Sequence, residues 1–315
     1  TIISCALAII KSGAKPVLVD SDPNTWNMNI NAVENVITSR TKAIMAVHIY
    51  GLPVDMDPLI KIARKYGLYI IEDAAELIGA KYKERQCGSI GDISTFSFYP
   101  NKHITTGEGG MISSDDDELI SIARSLSWWG RDCYCVGQQN LLSCGVCGKR
   151  FSKWIKKYDG IIDHKYVYSQ MGYNLKPMDF QGAIGSVQMD KQDEIHQLRR
   201  KNKLLIQEHF EKIDGVRSVG ELPEAETSWF GVPIICDSKK IKNDLTKHLE
   251  SNKIQTRNYF AGNILMHPGY SHLDYYKNYP NACKVLDLVF FVGCSPTITS
   301  PMIDYIGTIT SKFKK

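Results

Sequence analysis

The chain has 315 residues, 43% of them hydrophobic, and 38 Lys and Arg set against 34 Asp and Glu for a net charge of +4. That length supports a large core, in one large domain plus a smaller one or in two of similar size. The mild positive charge gives no case for nucleic acid and suits an anionic substrate. No run approaches the ~18 apolar residues of a membrane span, and the opening Thr1-Ile2-Ile3-Ser4 carries no basic leader segment. Nine cysteines in a chain this long do not form a secreted disulfide scaffold. Cys236, in the apolar run 232–236, reads as a core residue. A cytoplasmic protein is expected.

The first half alternates helical and strand patterns. A helix is predicted over 3–12, ended by Gly13, followed by a buried strand over 16–20. Residues 30–38 fit a helix and 43–48 a second strand. The next helix opens with Asp57 as N-cap and Pro58 at its first position. Leu59, Ile62, Ala63 and Tyr66 form its face, and Gly67 stops it. Strands over 68–72, 93–98 and 110–113 follow, then a helix over 115–127. This rhythm predicts an α/β fold with a mainly parallel sheet covered by helices. Ligands of such sheets bind beyond the carboxyl ends of the strands, where Asp73 and Ser97 fall.

From 128 to 165 the texture changes to aromatics, glycines and cysteines without clean periodicity, which reads as an insertion. Residues 177–212 are strongly helical and are expected to bridge two domains, 1–195 and 196–315. A strand over 229–236, a helix over 239–251 and another over 280–290 complete a smaller C-terminal α/β domain.

The chemistry centres on Ser97-Phe98-Tyr99-Pro100-Asn101-Lys102-His103, which runs on into Gly107-Glu108-Gly109-Gly110. One lysine sits between an aromatic-rich strand end and a glycine-rich turn, while the preceding strand ends in Glu72-Asp73. That pattern is what a pyridoxal phosphate (PLP) site needs. Lys102 would link covalently to the cofactor aldehyde, Asp73 would hold the pyridine nitrogen, and the Ser97 hydroxyl would contact the phosphate. Taken alone, Asp73 reads first as a turn cap, and Ser97 is a weak signal. Glu76 would face the same cleft if its segment were helical.

These motifs resemble the DegT-type nucleotide-sugar aminotransferases. The residues that carry the resemblance are Glu72-Asp73-Ala74-Ala75-Glu76, Gly88-Ser89-Ile90-Gly91-Asp92 and the run 97–110. It continues through His48-Ile49-Tyr50-Gly51-Leu52-Pro53 and Gly172-Tyr173-Asn174-Leu175-Lys176, and covers essentially the whole chain. The Ala-Ala-Glu after Asp73 is most similar to perosamine-synthase-type members. The resemblance implies a PLP-dependent transferase of fold type I, with a three-layer αβα large domain, working as a homodimer with shared sites. It implies Lys102 as the cofactor lysine, Asp73 at the ring nitrogen, Ser97 at the phosphate and Glu76 near cofactor and sugar. Asn174, by itself a turn residue, matches an asparagine that reaches the phosphate of the neighbouring subunit's cofactor. Two departures stand out. The family's N-terminal segment with its Gly-Thr phosphate contact is not seen, so the chain reads as a fragment or a trimmed sequence. Ile2 or Ile3 stands where the family carries an aromatic that stacks on the ring.

Cys133, Cys135, Cys144 and Cys147 form a C-x-C and a C-x-x-C separated by eight residues. They read either as ligands of one Zn²⁺ or iron–sulfur centre or as four unliganded thiols. The surrounding Arg131-Asp132-Cys133-Tyr134-Cys135, with Ser228-Trp229-Phe230-Gly231 and Phe260-Ala261-Gly262-Asn263, resembles another branch, the PLP/iron–sulfur sugar 3-dehydrases. That branch replaces the cofactor lysine with histidine and places a cluster cysteine just after the strand-end Asp. Here Lys102 is kept, and Ala74 and Ala75 follow Asp73. Arg257 could clamp an anionic phosphate or sugar-nucleotide group, and His267 is a weaker candidate for a sugar contact.

The expected activity is transfer of an amino group, from L-glutamate, to a nucleotide-linked keto sugar in amino-sugar biosynthesis for a surface polysaccharide. A 3-dehydrase and a non-catalytic cofactor-binding regulator or partner subunit are the alternatives.

Overall fold

The computed structural model describes residues 2–132, 151 and 155–314. Cys133, Cys135, Cys144 and Cys147 lie outside the described residues. In the N-terminal part, α1 (Ile3–Lys11) and the short α2 (Ile30–Val33) precede β1 (Ala43–Val47), α3 (Met56–Tyr66) and β2 (Tyr69–Asp73). A small hairpin, β3 (Lys81–Tyr82) and β4 (Arg85–Gln86), leads to β5 (Ile93–Ser97), β6 (Gly110–Ser113) and α4 (Asp117–Ser127). The main sheet has the order β1-β2-β5-β6. β1, β2 and β5 run parallel, with Asp73 opposite Val47 and Thr95, and β6 returns antiparallel to β5. The expected α/β architecture with a mainly parallel sheet is therefore present. Its C-terminal edge carries His48, Asp73 and Ser97.

Two local expectations are corrected. Residues 16–20 join no strand ladder. Val17 is exposed, and the Asp20 carboxylate accepts the Asn281 and Ala282 amides at 3.0 and 2.9 Å. Those amides are orphan donors in the first turn of a helix over 260 residues away, so this segment is fixed by capping rather than pairing. The third helix begins at Met56, after Asp55, which moves Pro58 to its third residue. Asp57 instead pairs with Lys83 and Arg85. Its end is as expected: Gly67 adopts φ +62°, a left-handed conformation that glycine takes without strain.

The segment 128–132 is stapled to 167–175. Trp129 N–H donates to Tyr173 O at 2.7 Å and Asp132 N–H to Val167 O at 2.9 Å.

The C-terminal part contains α5 (Asp179–Met189), α6 (Gln192–Phe210), β7 (Val216–Ser218), β8 (Ala225–Glu226), β9 (Gly231–Cys236) and α7 (Lys239–Ser251). It ends with β10 (Arg257–Asn258), α8 (Pro280–Leu288), β11 (Val289–Gly293) and α9 (Ser300–Ser311). β10-β11-β9-β7 form an antiparallel sheet, and β8 joins β3 and β4. α6 runs through residue 195 and buries Ile206 and Phe210 against this sheet.

One core lies under β1, β2 and α3, around Ile44, Leu59 and Ile70. A larger one gathers Ile234, Leu245, Phe290 and Ile306 and reaches into the first half at Ile49, Tyr50 and Leu52. That shared core holds the loop after β1 against the C-terminal sheet. Cys236 is fully buried within it, and Cys87, Cys236, Cys283 and Cys294 are free thiols.

Candidate active site

Glu72, the penultimate residue of β2, is fully buried and anchors the strand ends. Its carboxylate accepts the amides of Gly88, Ile90 and Gly91 at 2.9, 2.8 and 2.6 Å. His48 Nε2 donates to it at 3.1 Å, because His48 Nδ1 is occupied as acceptor of the Val54 amide. Burial alone would push the Glu72 carboxyl up. The hydrogen bond from His48 and those from the Gly91 and Gly88 amides outweigh it and hold the group below the usual carboxylate range.

Asp73, the next residue, faces the opposite way because strand side chains alternate. Its Oδ2 accepts the Cys5 thiol at 2.8 Å, and its Oδ1 accepts the Ala75 amide at 3.1 Å. The chain then enters tight turns rather than a helix, with Leu77 N–H on Ala74 O. Those turns bring Glu76 into the cleft. Glu76 Oε2 accepts the Tyr50 amide at 3.1 Å, and Oε1 pairs with Lys102 Nζ at 2.9 Å. Burial is the main influence on the Glu76 carboxyl and raises it despite the Lys102 charge.

Tyr50 is held for this contact by an unusual backbone. Its φ of +58° is left-handed, and its fully buried ring stacks on Tyr259 at 4.2 Å. Gly51 follows at φ +79°, where a Cβ would collide with the Ser228 and Glu76 carbonyls. Lys102 Nζ also sits 4.9 Å above the Phe230 ring, a cation–π contact. His103 points elsewhere. It is buried, with Nε2 at 2.6 Å from Ser228 O, and burial, aided by the Arg199 charge, pulls its imidazole well below the usual histidine range.

Asp73, Glu76 and Lys102 thus line one narrow cleft, together with Ile2, Val47, His48, Ile49, Ala75 and Phe260. Of the two N-terminal isoleucines, Ile2 reaches it. Ser97, Asn174, Arg257 and His267 are not among its lining residues. The Ser97 hydroxyl accepts the Tyr99 amide at 3.3 Å. Asn174 is exposed and bridges to Trp128. Arg257 lies exposed on β10, and His267 Nε2 lies 3.0 Å from Ala261 O. Three contributors were not singled out from sequence: Cys5, Tyr50 and Phe230. Tyr50 and Phe230 lie inside motifs that carry the family resemblance, whereas nothing local marks Cys5.

The chain matches a known group along nearly its full length. The model of the DegT/DnrJ/EryC1/StrS aminotransferase family matches residues 1–310. The chain belongs to that family. It is 36% identical to the lipopolysaccharide biosynthesis protein RfbH of Salmonella typhimurium, over 97% of this chain and 70% of that protein. It is 35% identical to the GDP-perosamine synthase of Escherichia coli O157:H7, over 99% of this chain and 77% of that protein. Among solved structures it is similar to the E. coli GDP-4-keto-6-deoxy-D-mannose-3-dehydratase with bound hydrated PLP. The TM-score is 0.82 at 27% identity, covering 98% of this chain and 77% of that one. The proteins similar to this chain thus include both a GDP-perosamine synthase and a GDP-4-keto-6-deoxy-D-mannose-3-dehydratase.

The cleft residues fit PLP. Lys102 supplies a buried amine for an aldehyde. The Asp73 carboxylate has acceptor capacity beyond its two observed donors. Ile2, Val47 and Phe260 supply apolar surface for a ring. Among the described residues no group of three or more His, Cys, Asp or Glu is placed to hold a metal, and no helix is long and apolar enough to cross a membrane.

Proposed function

We propose that this chain is a PLP-dependent aminotransferase that moves an amino group from L-glutamate to a keto group on a nucleotide-linked sugar. The observation that carries this reading is the presentation of Lys102, rather than His103, to the cleft, beside the buried Glu76 carboxylate. Bound PLP supplies a carbonyl that takes up an amine and a ring that withdraws electrons from the adjacent carbon. Lys102 Nζ would be the amine that anchors it and, when free, would move a proton at the reacting carbon. Glu76 Oε1 holds that amine in place and balances its charge. Asp73 would hold a proton on the ring nitrogen of the bound cofactor. Ser97, and Asn174 from a neighbouring subunit, would hold the phosphate.

Shared sites require a homodimer. α5 supports one: none of its residues is buried, and Phe180, Ile184, Val187 and Met189 are all exposed, as are Met111 and Ile112 on β6. An apolar surface of this kind marks an interaction face. In this reading residues 1–195 supply the catalytic groups, residues 196–315 supply Phe260, and the reaction is cytoplasmic.

The test is the visible spectrum of the full-length protein with glutamate and then with nucleotide-linked keto sugars, with mass analysis of the product. A glutamate-dependent spectral change and an amino-sugar product are expected, and Lys102→Ala should lower turnover by about 10²–10⁴-fold. A product that has lost a hydroxyl, with iron and sulfide in the protein, would instead establish the 3-dehydratase reaction. A spectrum unmoved by glutamate would point to a non-catalytic role.

A further inference from the structure

A second concavity, larger than the Lys102 cleft, lies in the C-terminal part. It is a groove of about 740 Å³ between α7 and the edge strand β10, and it shares no lining residue with the cleft. Its size does not make it the catalytic centre, because it holds neither a buried amine–carboxylate pair nor the strand-end Asp. A volume of this order does accommodate a small organic ligand.

The charges in the groove are unbalanced. Lys242 and Lys247 line it from α7 and Arg257 from β10. On the same helix Lys239 and Lys240 are paired, with Asp287 at 2.7 Å and Asp244 at 3.0 Å. Lys242, Lys247 and Arg257 form no such close pair among the described residues, although Asp287 acts on Lys242 and Glu250 on Arg257 through their charges. Lys242 is the telling one. It is only 6% exposed, and its Nζ donates to the Leu286 carbonyl. Burial disfavours that ammonium, and the nearby Asp287 charge offsets the cost only in part. The acid in the groove, Glu250, is turned onto Thr256, whose amide and hydroxyl it accepts at 2.5 and 2.7 Å. Thr246, Asn243 and Asn258 add polar groups to the lining.

We propose that this groove binds the phosphate groups of a nucleotide, at a site separate from the Lys102 cleft. Three cations around a nucleotide-sized hollow suit a diphosphate, and Arg257 offers the planar fork that matches phosphate oxygens. The site does not depend on the reaction assigned to Lys102.

The test is hydrogen–deuterium exchange and calorimetry on the full-length protein with guanosine diphosphate and, separately, inorganic pyrophosphate at fixed ionic strength. Both should slow exchange in residues 239–258, in the wild type and in Lys102→Ala alike. Lys247→Gln and Arg257→Gln, both at exposed positions that leave the fold intact by circular dichroism, should each weaken that binding at least tenfold. Protection confined to other segments, affinity unchanged in both variants, or equal displacement by sulfate at the same ionic strength would overturn the proposal.

Discussion

Lys102 Nζ lies 2.9 Å from Glu76 Oε1, and both side chains are more than nine-tenths buried. The two residues are 26 apart in sequence and come from different strand-end turns. A buried pair of this kind contributes little net stability, but losing one member strands the other's charge. Glu76→Leu should therefore destabilise the protein by about 3–5 kcal/mol in denaturant unfolding. The double variant with Lys102→Leu should recover most of that loss. Additive effects of the two substitutions would show that the pair is not coupled.

Glu72 gives the protein an acid-sensitive element. Its carboxyl is held below the usual range in the folded state, so the unfolded chain binds its proton first as pH falls. The stabilisation is present above the ordinary glutamate value of about 4.3 and is lost as pH drops through the lower folded value. Glu72→Gln should cost about 2–5 kcal/mol at pH 7, because a single amide oxygen cannot serve four donors. The gap between wild type and variant should narrow as pH is lowered from about 5 to 3. A gap constant across that range in urea titrations would contradict this account.

Gly51 is required by shape. At φ +79° a side chain is strained, and a Cβ would lie 2.7 Å from the Glu76 carbonyl and closer still to that of Ser228. Gly51→Ala should lower stability by about 2–4 kcal/mol and displace Glu76 from Lys102. Thermal unfolding measures the first effect, and altered cofactor absorbance at equal folded fraction measures the second.

The exposed face of α5 should be covered in the working protein. Ile184 and Val187 are 44% and 54% exposed and belong to neither core, so Ile184→Glu with Val187→Glu should spare the buried packing of the monomer. Sedimentation should show a dimer for the full-length wild type and a monomer for the variant, with cofactor retention falling in parallel. A variant that stays dimeric would place the interface elsewhere.

Much of this protein is local and was legible as such. The helix expected over 239–251 is α7, Lys239–Ser251, because Ser238 caps it and its apolar residues keep helical spacing. Gly67 stops α3, and β1, β2 and β5 follow short apolar runs bounded by turn residues. Lys102 and Asp73 stood out because their chemistry is written in the residues beside them. What the sequence left open were choices of distant partner. Residues 16–20 have a strand's composition, yet Asp20 caps a helix 260 residues on. Cys5 became a donor to Asp73, and Tyr50 took a left-handed backbone to hold Glu76. Periodicity and punctuation are set within a turn or two of chain. Which buried donor meets which acceptor is set by how the packed elements close on one another, and that closure decided that Lys102, rather than His103, faces the cleft.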